Sequence, residues 1–248
     1  EFDLSSLRTG IMAGSPCPQE IMQRVIDRMH MSDITICYGM TETAPVSAQS
    51  STSDSIEQRV TTVGRVHPHL EVKIVDEEGK VVPRGQLGEL CVRGYSVMLG
   101  YWEDQDKTQE VIDPARWMHT GDIAEMDDEG FVKIKGRIKD VVIRGGENLF
   151  PKEIEDFLYT HPAVSDVQVI GVPDPRYGEE LCACIILHEN DPCTEETIRQ
   201  YCQEHISHNK VPRYVRFFHE FPMTASGKAQ KFKLREFMQE ELNLKEIA

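Results

Sequence analysis

The feature that most constrains the fold is a change in hydrophobic period along the chain. QEIMQRVIDRMH, residues 19–30, sets Ile21, Met22, Val25, Ile26 and Met29 at helical spacing. The apolar run DITICYG follows and predicts a buried strand ending at Gly39. From residue 63 to residue 136 the pattern is one of short strands and tight turns. LEVKIVD alternates, DEEGK turns the chain, GELCVRG is a further strand, and DDEG joins IAEM to FVKIKG as a hairpin. A helical insertion near residues 104–112 interrupts this β-rich region. After Gly136 strands and helices mix. VVIRGG is a strand with a glycine turn, and PKEIEDFLYTH starts a helix with proline in its first turn. VSDVQVIGV and ELCACIIL are strands, TEETIRQYCQEH is a helix capped by Thr194, and YVRFF precedes a last helix through LREFMQEEL. The succession predicts α/β and α+β architecture, with a β-rich subdomain ahead of a compact α+β domain and a boundary at residues 137–140. Residues 44–62, rich in Ser and Thr, predict a long surface loop.

Composition narrows the function classes. With 40% apolar and 28% charged residues the chain has the make-up of an ordinary globular protein. Its formal charge of −15, from 42 acidic against 27 basic residues, repels nucleic-acid backbones and anionic lipid, so neither is an expected partner. A locally basic pocket for an anionic nucleotide remains compatible with that field. No apolar run has the length of a transmembrane segment, and no signal-like segment opens the chain. It begins at Glu1 with its first methionine at Met12, which leads to the expectation of a piece of a longer protein. The seven cysteines, Cys17, Cys37, Cys91, Cys182, Cys184, Cys193 and Cys202, lie mostly in apolar runs without metal-site spacing. They are expected to be reduced, buried thiols of a cytoplasmic or mitochondrial-matrix protein, with no metal or redox role for Cys182 and Cys184.

Four polar or glycine-rich segments do not read as ordinary packing: YGMTE at 38–42, HTGD at 119–122, GRIKD at 136–140 and TASGK at 224–228. Each is expected at the end of an apolar strand or in a tight turn. Taken singly, each is equally a solvated turn. A lysine beside a glycine suits phosphate oxygens, but TASGK lacks the spacing of a phosphate-cradling P-loop, and Gly145–Gly146 is no dinucleotide fingerprint.

Together and in this order, the four segments resemble the adenylate-forming family of acyl-CoA synthetases, nonribosomal adenylation domains and luciferases. GSPCP at 14–18, GELCVRGYSVMLGYW at 88–102 and RGGENLFPKEIE at 144–155 extend the resemblance over nearly the whole chain. Within the family the sequence is most similar to fatty-acyl-CoA synthetases of medium-chain type. The resemblance implies attack of a carboxylate on the α-phosphate of ATP, giving an acyl adenylate and pyrophosphate, followed by displacement of AMP by a thiol, usually coenzyme A. Transfer to a carrier-protein thiol, luciferase-like oxidation, or an inactive nucleotide-binding fragment are the alternative readings.

The same resemblance implies a role for each matching residue. Tyr38 and Gly39 correspond to the segment whose aromatic stacks on adenine, and Gly14 and Ser15 to the strip beside the ring. Thr41 matches the threonine at the α-phosphate, and Glu42 the carboxylate that holds Mg²⁺, a cation suited to few hard oxygen ligands. Asp122 matches the acceptor of the ribose hydroxyls and Arg137 an arginine that also reaches the ribose; a structural ion pair is the alternative for Arg137. Lys228 corresponds to the adenylation lysine, although Ala229 follows it where the family has a larger apolar residue. Lys139 falls at the hinge, and Gly145 and Gly146 at a turn that lets a pantetheine arm pass. Arg144, Lys152, Lys210 and Arg213 are candidates for the phosphates of coenzyme A, or plain surface charges. The implied organisation is the end of the large domain over residues 1–136, a hinge at 137–139 and a small mobile domain over 140–248. The family's ATP-phosphate loop and much of its acyl pocket are expected upstream of these residues.

Overall fold

The computed structural model describes residues 2–14, 17–225 and 227–244, and the chain divides into one unit over Glu1–Ile138 and another over Lys139–Ala248. In the first unit a parallel pair, β1 (Thr9–Met12) and β2 (Asp33–Gly39), is connected by helix α1 (Gln19–Met29). The helix buries Met22 from its apolar stripe and ends at His30 in the left-handed region. β3 (Val46–Gln49) and β4 (Arg65–Val66) extend this sheet antiparallel to β2.

The expected loop over residues 44–62 is therefore corrected. It contains β3 and a short helix, α2 (Ile56–Thr61), started by a reciprocal Ser55–Gln58 capping box. Small polar residues conceal this order because Ser47 and Ser50 take buried positions where a period count expects apolar side chains. Thr43 and Ser50 are both buried, and the Ser50 hydroxyl accepts the Ile36 N–H at 3.0 Å.

A second sheet is an antiparallel meander of β5 (Leu70–Val75), β6 (Gly88–Gly94), β7 (Met118–Met126) and β8 (Val132–Arg137). Helix α3 (Gln105–Val111), capped by Asp104, interrupts it between β6 and β7. Its apolar face gathers Ile74, Leu90, Ala124, Met126 and Val132 into one cluster.

The second unit is built on a five-stranded sheet with helices on both faces. β9 (Val142–Arg144) and β10 (Glu147–Leu149) form a hairpin ahead of helix α4 (Pro151–Leu158). β11 (Val164–Asp174) and β12 (Gly178–Leu187) form a long antiparallel pair. After helix α5 (Glu195–His205), β13 (Tyr214–Phe217) joins parallel to β12, and helix α6 (Lys231–Glu241) follows. Strand β12 is buried on both faces, which is why ELCACIIL reads as an unbroken apolar run. Leu181, Ala183 and Ile185 pack with Ile154, Leu158 and Ile198 of α4 and α5. Cys182 and Cys184 point the other way, towards Leu234 and Met238 of α6. All seven cysteines are free thiols, with Cys91, Cys182, Cys184 and Cys202 buried and Cys17, Cys37 and Cys193 half-buried.

Candidate active site

Strand β7 alternates buried and half-exposed positions along its length, and Asp122 occupies one of the buried ones, between Thr120 and Ala124. HTGD thus lies inside a strand, not at a strand end or in a turn. The alternation is masked in sequence because polar residues sit on the core-facing side. Pairing of β7 with both neighbours slips in register nearby, between Glu89 and Cys91 and between Ile123 and Ala124. Such irregularities re-aim side chains. Here the Thr120 hydroxyl accepts the Asp122 N–H at 3.1 Å, and Glu89 Oε1 accepts the Gly121 N–H at 3.0 Å.

Two of the residues singled out in sequence converge on the carboxylate of a third, Asp122. The Tyr38 hydroxyl donates to Oδ2 at 2.5 Å. Arg137, the register partner of Asp122 in β8, reaches Oδ1 through Nε at 3.3 Å. Burial, reinforced by the adjacent carboxylate, pushes the Tyr38 phenol far above its ordinary value, so it remains a donor. An ionised carboxylate has about four acceptor positions, shared between its two oxygens. The cluster suits recognition of neighbouring hydroxyls beside an aromatic ring.

Beyond Tyr38 the backbone must turn tightly. A Cβ on Gly39 would lie 1.6 Å from the Pro45 carbonyl oxygen, so only glycine fits there. A single 3-10 turn, Thr41–Thr43, follows, with the buried Thr43 hydroxyl tying back to Met40 at 3.1 Å. Thr41 is left exposed at its start. Glu42 is half-exposed, and its Oε1 accepts from the Tyr101 hydroxyl at 2.8 Å while its carbonyl accepts the Met98 N–H at 2.8 Å. Partial burial and the Glu42 carboxylate push the Tyr101 phenol up to about 12. One hard carboxylate oxygen beside an exposed hydroxyl fits Mg²⁺, which binds through one or two carboxylates together with water and substrate phosphate. Gly14 has open space about it; Ser15 lies outside the described residues.

In the second unit, Gly145 and Gly146 form the turn between β9 and β10, both with positive φ (60° and 85°). The Gly145 N–H donates to the Tyr177 carbonyl at 2.8 Å, and nothing crowds Gly146. Lys228 is exposed at the end of a turn closed by the Thr224 N–H donating to the Lys228 carbonyl at 2.8 Å and the Lys228 N–H to the Thr224 hydroxyl at 3.0 Å. Lys139, also exposed, opens the second unit. The four cations suggested for coenzyme phosphates all carry acidic partners. Arg144 pairs with Glu180 at 2.8 Å, Lys152 with Asp156 at 2.7 Å, Arg213 with Asp174 at 2.6 Å, and Lys210 with Glu153. A phosphate would have to compete for each.

Sequence reading missed Tyr101 and Glu89. The signal for both was present in GELCVRGYSVMLGYW, but which acidic or amide group each one meets depends on cross-strand register and loop path.

The match to known proteins runs along the whole chain. The model of the AMP-binding enzyme family matches residues 1–102, and that of the AMP-binding enzyme C-terminal domain matches residues 153–228. The putative acyl-CoA synthetase YngI of Bacillus subtilis (strain 168) is 55% identical over 98% of this chain and 44% of its own length. The mitochondrial medium-chain acyl-CoA ligase ACSF2 of Bos taurus is 51% identical over 98% of this chain and 40% of its own. Among solved structures, the anthranilate CoA ligase AuaEII in complex with anthranoyl-AMP superposes with a TM-score of 0.89 at 33% identity, covering 98% of this chain and 46% of that one. The chain therefore spans less than half the length of the curated relatives it matches. With both of the family's segments matched in order, this chain belongs to the adenylate-forming, AMP-binding enzyme family.

Proposed function

We propose that the protein containing these residues is an ATP-dependent acid–thiol ligase that activates a fatty acid as its acyl adenylate and passes the acyl group to coenzyme A. The convergence of Tyr38 and Arg137 on Asp122 carries the reading. It is a ready acceptor for a ribose diol beside an aromatic ring, and the named relatives are acyl-CoA synthetases and ligases.

In this reading Asp122 and Arg137 fix the ribose, Tyr38 and Gly39 flank the adenine with Gly14 and Ser15 alongside, and Thr41 meets the α-phosphate. Glu42 would hold Mg²⁺, which neutralises phosphate charge when bound. Lys228, on an exposed turn, would supply the charge at the carboxylate and the α-phosphate, where it matters most as negative charge concentrates. Residues 137–139, with Lys139, form the hinge; Gly145 and Gly146 leave a side-chain-free track for the pantetheine thiol. The compartment is the cytoplasm or the mitochondrial matrix.

Carboxylate-dependent ATP–pyrophosphate exchange by the full-length protein, across a panel of acids, tests the activity. Fatty acids should support exchange; support from aromatic acids alone would replace the fatty-acid reading with that of an aryl-acid ligase such as the anthranilate CoA ligase AuaEII. Lys228→Ala should abolish adenylate formation and leave thioester formation from supplied acyl adenylate largely intact. An equal fall in both half-reactions would remove Lys228 from the first step.

A further inference from the structure

The polar face of the β5–β8 sheet carries three groups that the proposed ligase chemistry does not use. Glu89 and Cys91 are two residues apart in β6 and share a face, and Cys91 is the register partner of His119 in β7. Cys91 Sγ lies 3.6 Å from His119 Nδ1, which lies 2.7 Å from Glu89 Oε2. One donor atom from each residue falls within 4.8 Å of the others. A tetrahedral zinc site with bonds of about 2.0 to 2.3 Å separates its ligand atoms by roughly 3.3 to 3.6 Å. The sulfur–nitrogen spacing already has that value, and the nitrogen–oxygen contact must open by only about half an ångström.

We infer that Glu89, Cys91 and His119 form a binding site for a thiophilic divalent cation, Zn²⁺, with the fourth position left to water. Thiolate and imidazole select such an ion over Mg²⁺ or Ca²⁺, which take oxygen ligands. The His119 and Glu89 side chains, 30% and 19% exposed, give the entry side, while Cys91 forms the floor. Without metal, burial and the neighbouring Glu89 push the Cys91 thiol up to about 12, with Lys73, opposite in β5, acting the other way. On binding, the thiol releases its proton to solvent. The Nδ1 proton that His119 shares with Glu89 is displaced as well, to Nε2 by exchange with solvent, so that the cation takes its place between Nδ1 and Oε2.

The site touches function through Glu89. Its second oxygen holds the Gly121 N–H, one residue before Asp122. A cation that re-aims this carboxylate loosens the Asp122 segment, so zinc is an inhibitor of nucleotide binding; this consequence rests on the function proposed above.

Cobalt(II) added to the full-length protein should give a thiolate-to-metal charge-transfer absorption at one equivalent. Cys91→Ser should remove it, and His119→Gln should weaken metal affinity at least about tenfold in competition with a chromophoric chelator. Absence of the band in the native protein, or its persistence in Cys91→Ser, overturns the site. Either variant retaining native near-ultraviolet circular dichroism excludes misfolding as the cause of loss. Zinc should inhibit ATP–pyrophosphate exchange in the native protein and spare Cys91→Ser; equal inhibition of both overturns the coupling. The cobalt measurement needs no nucleotide, so failure of the ligase reading leaves it intact.

Discussion

Asp122 is a carboxylate on the buried side of a strand, a position that costs stability unless the charge is paired. Tyr38 and Arg137 supply that pairing, and a diol bound there meets an acceptor already fixed in direction. A hydrogen bond to a buried charge contributes about 1.5 to 3 kcal/mol, so Asp122→Ala should weaken ATP and AMP by one to two orders of magnitude. Calorimetric titration of the full-length protein measures this directly, and an unchanged affinity would take the ribose away from Asp122. Tyr101 belongs to the same scale. Its hydroxyl steadies the Glu42 carboxylate at 2.8 Å, the type of outer contact that orients a metal-ligating oxygen. Tyr101→Phe should raise the Mg²⁺ concentration required for turnover about tenfold, with kcat recovered at saturating metal. Manganese binding followed by electron paramagnetic resonance in the presence of ATP gives a second readout. A variant with lowered kcat and unaltered metal dependence would make Tyr101 merely structural.

At the scale of elements, the His161 ring shows how a buried titratable group ties stability to pH. It follows α4, and its Nδ1 accepts the Ala163 N–H at 3.2 Å, which requires a neutral ring. Burial lowers its pKa below the ordinary 6.5, with Asp191 opposing. As pH falls below about 6.5 the unfolded chain takes up this proton before the folded one does, so stability declines from there towards the lower folded value. Denaturant midpoints should fall between about pH 7 and pH 5, and His161→Gln should flatten part of that slope. Parallel slopes for the two proteins would exclude His161 as a source. Elements with strong apolar periods, such as β2, β12 and α5, were legible in sequence because burial alone dictates them. β3 and the first half of β7 were not, since Ser47, Thr120 and Asp122 occupy core-facing positions where a period count expects apolar side chains. The candidate site residues were legible through motif order, but the contacts Tyr38–Asp122 and Tyr101–Glu42 join residues far apart in sequence and need the strand register.

For the whole molecule, the division at Ile138 has an energetic meaning. The two apolar clusters that line the faces of the β11–β12 sheet draw on residues from Val142 to Leu244, all within the second unit. Its buried charges are also met internally, Glu180 by Arg144, Asp174 by Arg213 and Glu155 by Lys231. A segment whose core and ion pairs are self-contained has what a domain of roughly a hundred residues needs to fold alone. Residues 139–248 expressed separately should therefore unfold in urea as one cooperative transition, with far- and near-ultraviolet circular dichroism coinciding. That segment should also bind no ATP, because Tyr38, Asp122 and Arg137 belong to the first unit. Non-coincident transitions, or a broad loss of signal without a folded baseline, would mean that the second unit depends on the first for its core. An ATP affinity retained by the separate segment would place the nucleotide's principal contacts around Lys228 and the Gly145–Gly146 turn instead of around Asp122.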